Sequence, residues 1–238
     1  GTIAAKFSGV KNIVNSVTGL GHLFINNSIL IRLIRFTLKP IYFFVFNSKG
    51  TRVIFQNMYD RRFFLKLGVL RDIKNSFVIK GSGVDSEFFK PLDSSHSEHK
   101  KNFKVLFPAR LIIEKGIKEV LKAHKSLLKQ EENIQLLIAG EIDNGNRSAI
   151  NKRYKKYILS QENIKILGHM QDLRQVYSES DIVLLPSWRE GLSRSLIEAA
   201  AMSKPIITTD TPGCKDIVEH GINGLLVPIK DPKAIELA

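Results

Sequence analysis

The sequence predicts an α/β protein whose core is built on parallel, doubly wound sheets. From Phe103 onward, short apolar runs rich in β-branched residues alternate with helical segments, a pattern typical of a parallel sheet covered by helices on both faces. The preceding segment, 80–102, is rich in Ser, Gly, Pro and charge and has no apolar period, which predicts a linker between two domains. Of the 238 residues, 43 % are hydrophobic and 25 % charged, ordinary values for a chain with a sizeable core.

The N-terminal part is predicted to hold strands and helices in alternation. The predicted elements are a helix over 2–7, a strand over 12–17, a helix over 29–46, a strand over 51–55, a helix over 59–67 and a strand over 77–79. The helix over 29–46 carries Arg32, Arg35 and Lys39 on one face and Pro40 inside it, which argues against a membrane span. Such a basic, apolar helix either lies in a bilayer interface or packs in a core with its cations extended to water, and the sequence leaves both open.

The C-terminal part repeats the strand–helix unit more regularly. Strands are predicted over 103–109, 134–140, 164–168, 181–187, 205–209 and 224–228, and helices over 115–130, 148–159, 173–178 and 193–202. Ligands of doubly wound domains bind at the carboxyl ends of the strands. We therefore expect the chemistry in the loops that follow these strands.

The net charge of +13 is concentrated near the N-terminus. Residues 1–100 hold 15 Lys and Arg against 6 Asp and Glu, whereas residues 101–238 hold 21 against 17. A basic excess favours an anionic partner such as nucleic acid, anionic lipid or a phosphorylated substrate, or it is simply a basic surface.

The single cysteine, Cys214, excludes an internal disulfide and fits a reducing compartment. The chain opens without a secretory signal, and we expect it to be a fragment of a longer protein.

A pair of glutamates brackets the start of the predicted helix over 193–202. Glu190 lies in the loop before this helix and Glu198 on its second turn. The unpaired N–H groups of a helix N-terminus bind phosphate, and Gly191 allows a ligand to approach the backbone. Glu198 is then placed to accept hydrogen bonds from a ribose diol, and Glu190 to reach a sugar beyond the phosphates. Alternatively, Glu190 only stabilises the helix dipole and Glu198 is solvated, but the apolar residues around Glu198 predict that it is partly buried and needs a partner.

Several segments together resemble family 4 glycosyltransferases. The stretch REGLSRSLIEAAAMSKPIITTDTPGCKDIVEHGINGLLVP contains the E-x7-E signature of that family, and FPARLIIEKGIKEVLKAH, LLIAGE and DLRQVYSESDIVLLPS match in the same order. The resemblance covers essentially 77–238. It implies a retaining enzyme of the GT-B fold, with two Rossmann-like, doubly wound domains. We place a partial N-terminal acceptor-binding domain at 1–88 and a nucleotide-sugar domain, lacking its last helices, at 89–238.

The resemblance also implies roles for individual residues. Arg110 and Lys115 match the cations that clamp the donor diphosphate, and with Glu190 they are the predicted catalytic residues. The predicted donor-binding residues are Arg110, Lys115, Glu190, Gly191, Leu192, Ser193, Arg194, Ser195 and Glu198. Thr18 stands where many members have a His near the reacting sugar, and the turn TGLG resembles members that work on lipid-linked bacterial glycans. Thr18 and His22 are therefore possible acceptor-side residues.

No metal or cofactor is expected, because the chain has no Asp-x-Asp and no Cys/His cluster with metal spacing.

The predicted function is transfer of a hexose or N-acetylhexosamine from a UDP-sugar to a polyprenyl-diphosphate-linked or similar glycan in cell-surface polysaccharide synthesis. We expect a cytoplasmic protein in peripheral contact with the anionic inner face of the cell membrane, and no nucleic-acid partner. The alternatives are a sugar-nucleotide 2-epimerase of the same fold and a non-enzymatic nucleic-acid-binding protein.

Overall fold

The chain divides into two compact units. The computed structural model describes residues 1–20, 24, 28–81, 83–92, 102–130, 133–143, 145–146 and 148–238. The first unit comprises Gly1–Ser82 together with Glu190–Leu192, and the second comprises Gly83–Arg189 and Ser193–Ala238. The division after Ser82 falls inside the predicted linker segment, shortly before the boundary placed at 88/89. The sequence did not predict that Glu190–Leu192 would group with the first unit.

The first unit is a three-stranded parallel sheet with helical connections. Its strands, in the order β1-β2-β3, are β1 (Ile13–Val17), β2 (Thr51–Phe55) and β3 (Ser76–Val78), and its helices are α1 (Thr2–Phe7), α2 (Ile29–Asn47) and α3 (Met58–Lys66). In β2, Thr51, Val53 and Phe55 are buried while Arg52 is exposed, as the two-residue period of a strand requires. The core of this unit is aromatic and contains Phe46, Phe55 and Phe64.

Helix α2 buries only one of its faces. Phe46 is buried in the core of the first unit, whereas Ile29, Leu33, Phe36 and Phe44 on another face are more than half exposed. At 100° per residue these four lie on one stripe of the helix. No described helix is both long and apolar enough to cross a membrane.

The second unit is a six-stranded parallel sheet with the strand order β6-β5-β4-β7-β8-β9. The strands are β4 (Phe103–Phe107), β5 (Ile134–Ile138), β6 (Ile164–Ile166), β7 (Ile182–Leu185), β8 (Ile206–Thr209) and β9 (Gly224–Val227). The helices are α4 (Ile117–Leu128), α5 (Lys152–Leu159), α6 (Arg174–Glu179), α7 (Arg194–Ala201) and α8 (Pro232–Leu237). Successive strands run outward from β4 to β6 and then, on the other side of β4, from β7 to β9. This reversal between β4 and β7 is a topological switch point, where doubly wound domains bind ligands.

Prolines and caps explain where the elements differ from their predicted extents. The strands predicted over 103–109 and 181–187 end at Phe107 and Leu185, because Pro108 and Pro186 cannot donate ladder hydrogen bonds. The helix predicted over 148–159 begins only at Lys152, after the Asn151 side chain accepts a hydrogen bond from the Tyr154 N–H, a regular N-cap.

Two glycines allow backbones to meet at the carboxyl edge of this sheet. Gly116 caps α4 in a left-handed conformation with φ 78°, and a Cβ there would collide with the Pro186 carbonyl oxygen. A Cβ at Gly140 would collide with the Ala109 carbonyl oxygen. The loops after β4, β5 and β7 are therefore held together by contacts that only glycine permits. The same conformation of Gly116 explains why the helix predicted from residue 115 begins at Ile117.

A buried histidine lies at the opposite, N-terminal side of this sheet. His124 of α4 is 4 % exposed and lines a largely apolar cavity of about 480 Å³ with Phe103, Leu127, Ile134 and Ile235 among its walls. Neither ring nitrogen has a partner of good hydrogen-bond geometry among the described residues. Burial lowers the pKa of His124 below its ordinary value, and the nearby Ile134 backbone offsets this only in part.

We predict that this histidine makes the fold less stable in acid. The unfolded chain binds a proton on His124 at a higher pH than the folded chain does, so the free energy of unfolding falls as the pH drops through about 6.5. Urea unfolding of wild type and His124→Leu between about pH 8 and pH 5 should show a shallower fall for the variant. The exposed His169 provides the control His169→Gln, which should keep the wild-type slope. Equal slopes for wild type and His124→Leu would contradict the prediction.

Candidate active site

The predicted site residues of the second unit gather at its switch point. Arg110 and Lys115 follow β4, and Ser193, Arg194, Ser195 and Glu198 follow β7. Glu190, Gly191 and Leu192 belong to the first unit, as does Thr18, and His22 lies outside the described residues. Each group is described within its own unit.

The Arg110 guanidinium lies at the carboxyl edge of the sheet and has an acidic partner. Its Nη1 donates to Asp143 Oδ2 at 2.8 Å, and the Arg110 side chain is 60 % exposed. An ion pair this exposed contributes no more than about 1 kcal/mol. Since a guanidinium carries five N–H donors, the pair orients Arg110 without occupying all of its donors. Asp143 was not predicted; its only sequence signal is its place soon after β5.

Lys115 is held between two loops of the second unit. It ends a single 3₁₀ turn, Ile113–Lys115, directly before Gly116. The Ile113 N–H donates to the Ser148 carbonyl at 2.8 Å, and the Trp188 N–H donates to the Glu114 carbonyl at 2.8 Å. These bonds fix the turn against the loops after β5 and β7. The Lys115 cation is thereby attached to backbone that has little freedom to move.

The start of α7 offers backbone donors that no side chain caps. Ser193 is the N-cap residue, but its side chain makes no capping hydrogen bond; its Oγ lies 3.3 Å from Ser195 Oγ instead. The first N–H groups of a helix have no intrahelical acceptor. Together with the helix dipole they form a site of positive potential, on the same edge of the sheet as Arg110 and Lys115.

Glu198 is a buried carboxylate with two side-chain partners. It is 7 % exposed, in agreement with the burial predicted from its apolar neighbours. Arg194 Nε donates to Glu198 Oε1 at 2.9 Å, and the Tyr177 hydroxyl lies 3.2 Å from Glu198 Oε2. The same hydroxyl is also 3.0 Å from the Ser195 carbonyl oxygen. Burial, and next the negative charge of Glu198, raise the pKa of Tyr177 far above its ordinary range, so this hydroxyl stays protonated and can donate. Sequence reasoning missed Tyr177, which the sequence marks only as a residue of a short helix.

Within the first unit, Gly191 meets the backbone near Thr18. A Cβ at Gly191 would collide with the Thr18 carbonyl oxygen, and the Gly191 carbonyl accepts a hydrogen bond from Asn57 Nδ2 at 2.7 Å. Asn57 is itself buried and contacts the buried Asp60 at 3.1 Å. Gly191 is therefore required by close backbone approach. Glu190 is partly exposed.

Nothing among the described residues resembles a metal centre: no group of three or more His, Cys, Asp or Glu side chains is placed to hold an ion.

The family model described as "Glycosyl transferases group 1" matches residues 88–238. Among curated proteins, the chain is 28 % identical over 243 residues to the N,N'-diacetylbacillosaminyl-diphospho-undecaprenol alpha-1,3-N-acetylgalactosaminyltransferase of Campylobacter jejuni, covering 98 % of this chain and 61 % of that protein. It is 29 % identical over 160 residues to the capsular polysaccharide biosynthesis glycosyltransferase CapM of Staphylococcus aureus, covering 65 % of this chain and 41 % of CapM.

Solved structures show the same fold. Anabaena Alr3699/HepE in complex with UDP and glucose matches with a TM-score of 0.80 and 22 % identity, over 100 % of this chain and 63 % of that one. The likeness confirms the predicted GT-B fold class. The chain spans about three fifths of the length of the Campylobacter jejuni and Anabaena proteins and about two fifths of that of CapM.

We predict that the Tyr177 hydroxyl stabilises the fold through Glu198. Tyr177→Phe keeps the packed ring but removes a donor from a buried carboxylate, so the free energy of unfolding should fall by about 1–2 kcal/mol. A double-mutant cycle with Glu198→Ala, measured by urea unfolding, should give a coupling of about 0.5–1.5 kcal/mol. Arg194→Ala removes the other partner of Glu198, but because the Arg194 side chain is 69 % exposed water can replace it, and its loss should lower the free energy of unfolding less than Tyr177→Phe does. Strictly additive effects of Tyr177→Phe and Glu198→Ala would mean that the hydroxyl serves only the Ser195 carbonyl.

Proposed function

Since this chain belongs to the glycosyl transferases group 1, we propose that it carries the donor site of an enzyme that transfers a hexose or N-acetylhexosamine from a UDP-sugar with retention of configuration. The observation that supports this most is the meeting of Arg110, Lys115 and the uncapped start of α7 at one switch point, next to the buried carboxylate of Glu198. Cations and helix N–H groups suit a diphosphate, and a carboxylate suits a ribose diol.

The proposed chemistry relies on charge. When the bond between the anomeric carbon and the diphosphate oxygen breaks, negative charge grows on the departing UDP, while an acceptor hydroxyl bonds to the same carbon and gives its proton to an oxygen of the departing diphosphate. Arg110 and Lys115 stabilise that charge as fixed cations, so we expect no need for a metal ion. Glu198, oriented by Arg194 and Tyr177, holds the ribose. Gly191, Leu192, Ser193 and Ser195 supply backbone and hydroxyl contacts, and Glu190 contacts the donor sugar.

We further propose a lipid-linked acceptor. The name of the Campylobacter jejuni relative specifies an undecaprenol-diphosphate acceptor, and the Staphylococcus aureus relative is a capsule biosynthesis protein. A polyprenyl-diphosphate-linked glycan in cell-surface polysaccharide synthesis is consistent with both, and with Thr18 on the acceptor side. Because such an acceptor stays in the bilayer, the enzyme must act at the membrane, at its cytoplasmic face.

The test is a donor screen on the full-length protein. UDP release is followed with a panel of UDP-sugars and a polyprenyl-diphosphate glycan as acceptor, with and without EDTA. We expect acceptor-dependent UDP release that persists in EDTA and a product of retained configuration. Conversion of the UDP-sugar to its 2-epimer without transfer would support the epimerase alternative, and loss of activity in EDTA would contradict the metal-free mechanism.

Variants of the same protein locate the site. Arg110→Ala and Lys115→Ala should lower kcat more than they raise the donor KM, because their charge acts mainly in the transition state. Glu198→Gln should weaken UDP binding in calorimetry by about 1.5–3 kcal/mol, the usual cost of losing a charge-assisted hydrogen bond. The exposed Lys233 of α8, a helix that lines the cavity at the N-terminal side of the sheet, provides the control Lys233→Gln. Unchanged UDP affinity of Glu198→Gln would overturn its assignment to the ribose.

Membrane contact through α2 forms part of the proposal. The exposed stripe of Ile29, Leu33, Phe36 and Phe44 is flanked on one side by Arg32, Arg35 and Lys39. Apolar side chains inserted at the level of the headgroups and cations facing anionic lipid are the features of an interfacial helix. Each cation near an anionic surface contributes about 1 kcal/mol, screened by salt.

We predict that charge reversal on α2 weakens the binding of the protein to vesicles. In flotation with anionic liposomes, wild type should float at low salt, and the triple change Arg32→Glu, Arg35→Glu, Lys39→Glu should lower the floated fraction well below that of wild type. Since Arg35 is half-buried, the pair Arg32→Glu, Lys39→Glu is a second variant that leaves packing intact. The control Lys11→Glu, Lys49→Glu, Lys74→Glu changes the charge equally on exposed positions outside α2. Failure of wild type to float would disprove the membrane contact.

A further inference from the structure

The second unit carries a cluster of cations on two of its helices that the proposed donor site does not use. This cluster, here named the basic face, consists of Lys118, Lys122, Lys125, Lys129, Lys152, Arg153, Lys155 and Lys156. The first three belong to α4, Lys129 follows its last residue, and the others belong to α5. Apart from Lys118, which is partly exposed, all of them are exposed.

The fold brings these cations onto one surface. The connections from β4 to β5 and from β5 to β6 both step outward along the sheet in the same direction, so right-handed crossovers place α4 and α5 on the same side of it. Along α4 the lysines recur at spacings of four, three and four residues, which puts them on one narrow stripe. Lys118 Nζ lies 5.5 Å from the centre of the Tyr154 ring and Lys125 Nζ lies 5.9 Å from that of Tyr157. The two helices therefore present a continuous row of cations.

The positive charge of the basic face is not neutralised by described carboxylates. None of its eight cations forms an ion pair with an acidic residue that the structure describes. Helix α5 contains no acidic residue, and the one on α4, Glu119, is buried. Like charges at this density raise the local potential and favour an anionic partner of extended shape.

We infer that the basic face is a docking surface for an anionic lipid bilayer. Seven of its eight cations are Lys, a strongly hydrated point charge that is attracted to a diffuse anionic surface without requiring a fixed bidentate geometry. The exposed side chain of Leu159, 68 % accessible, follows Lys152, Lys155 and Lys156 on the solvent stripe of α5, and an apolar group among cations suits a headgroup layer.

A nucleic acid fits this surface less well. Binding of single strands relies on aromatic rings that stack with bases. Tyr154 and Tyr157, which lie beside the basic face, are instead partly buried against the core of the unit, with lysines over their rings. The basic face lies on the helical layer, whereas the donor residues lie at the carboxyl edge of the sheet, so docking here does not depend on the proposed transferase activity.

The experiment compares two variants that lose the same charge. The face variant is Lys122→Gln, Lys129→Gln, Lys155→Gln, Lys156→Gln, which spares the two lysines over the tyrosines. The matched control is Lys11→Gln, Lys49→Gln, Lys66→Gln, Lys74→Gln, four exposed lysines of the first unit that likewise have no ion pair among the described residues. Co-sedimentation uses phosphatidylcholine vesicles with about one third phosphatidylglycerol, at low and high salt, and vesicles of phosphatidylcholine alone.

Each cation near an anionic surface strengthens binding roughly fivefold, so the face variant should bind the anionic vesicles at least ~10-fold more weakly than the control. Both variants should keep the thermal stability and UDP affinity of wild type. The same comparison in the Arg32→Glu, Lys39→Glu background removes the contribution of α2, and the difference should persist there. Equal binding by the face variant and the control would overturn the inference. Tighter binding of wild type to a single-stranded oligonucleotide than to the vesicles, lost in the face variant, would assign the surface to nucleic acid instead.

Discussion

Close backbone approach at the carboxyl ends of β4, β5 and β7 is the constraint on which the second unit depends. A Cβ at Gly116 would collide with the carbonyl oxygen of Pro186, and a Cβ at Gly140 would collide with that of Ala109. Both carbonyls belong to neighbouring loops. With these loops in contact, the Ile113–Lys115 turn bonds to the loop after β7, and Arg110 reaches Asp143. The cations that we assign to the diphosphate are thus attached to a rigid edge, so little ordering remains to be done when a ligand binds.

The buried Glu198 shows how stability and function are linked at this edge. A carboxylate removed from water is costly unless it is paired and hydrogen-bonded. Arg194 provides a charge from the solvent side, and Tyr177 provides a neutral donor from the core. Since the high pKa of Tyr177 keeps its proton in place, the carboxylate is oriented without a second buried charge. An oriented carboxylate beside a helix N-terminus suits the ribose diphosphate that we propose as its ligand.

The two units carry their positive charge in different physical settings. On α2 of the first unit, cations border an exposed apolar stripe, which permits insertion as well as attraction. On α4 and α5 of the second unit, the basic face is almost entirely Lys, with Leu159 as its exposed apolar side chain, so attraction dominates and should weaken steeply with salt. The basic composition alone is compatible with many anionic partners. The positions of the cations, on α2 and on the basic face, are what favour the anionic membrane that we propose.

The sequence by itself determined the order and type of the elements, because the two-residue period of strands and the 3.6-residue period of helices are local properties. It also located Arg110, Lys115 and Glu198 at strand ends and a helix start, through the resemblance of several ordered segments. The observed ends of strands and helices differ from the predicted ones where a single residue constrains the backbone, as at Pro108, Asn151 and Gly116. Only the tertiary structure decided the partners: Asp143 for Arg110 and Tyr177 for Glu198. These contacts join residues from different strand–helix units, and the strand order, which no local period encodes, brings them together.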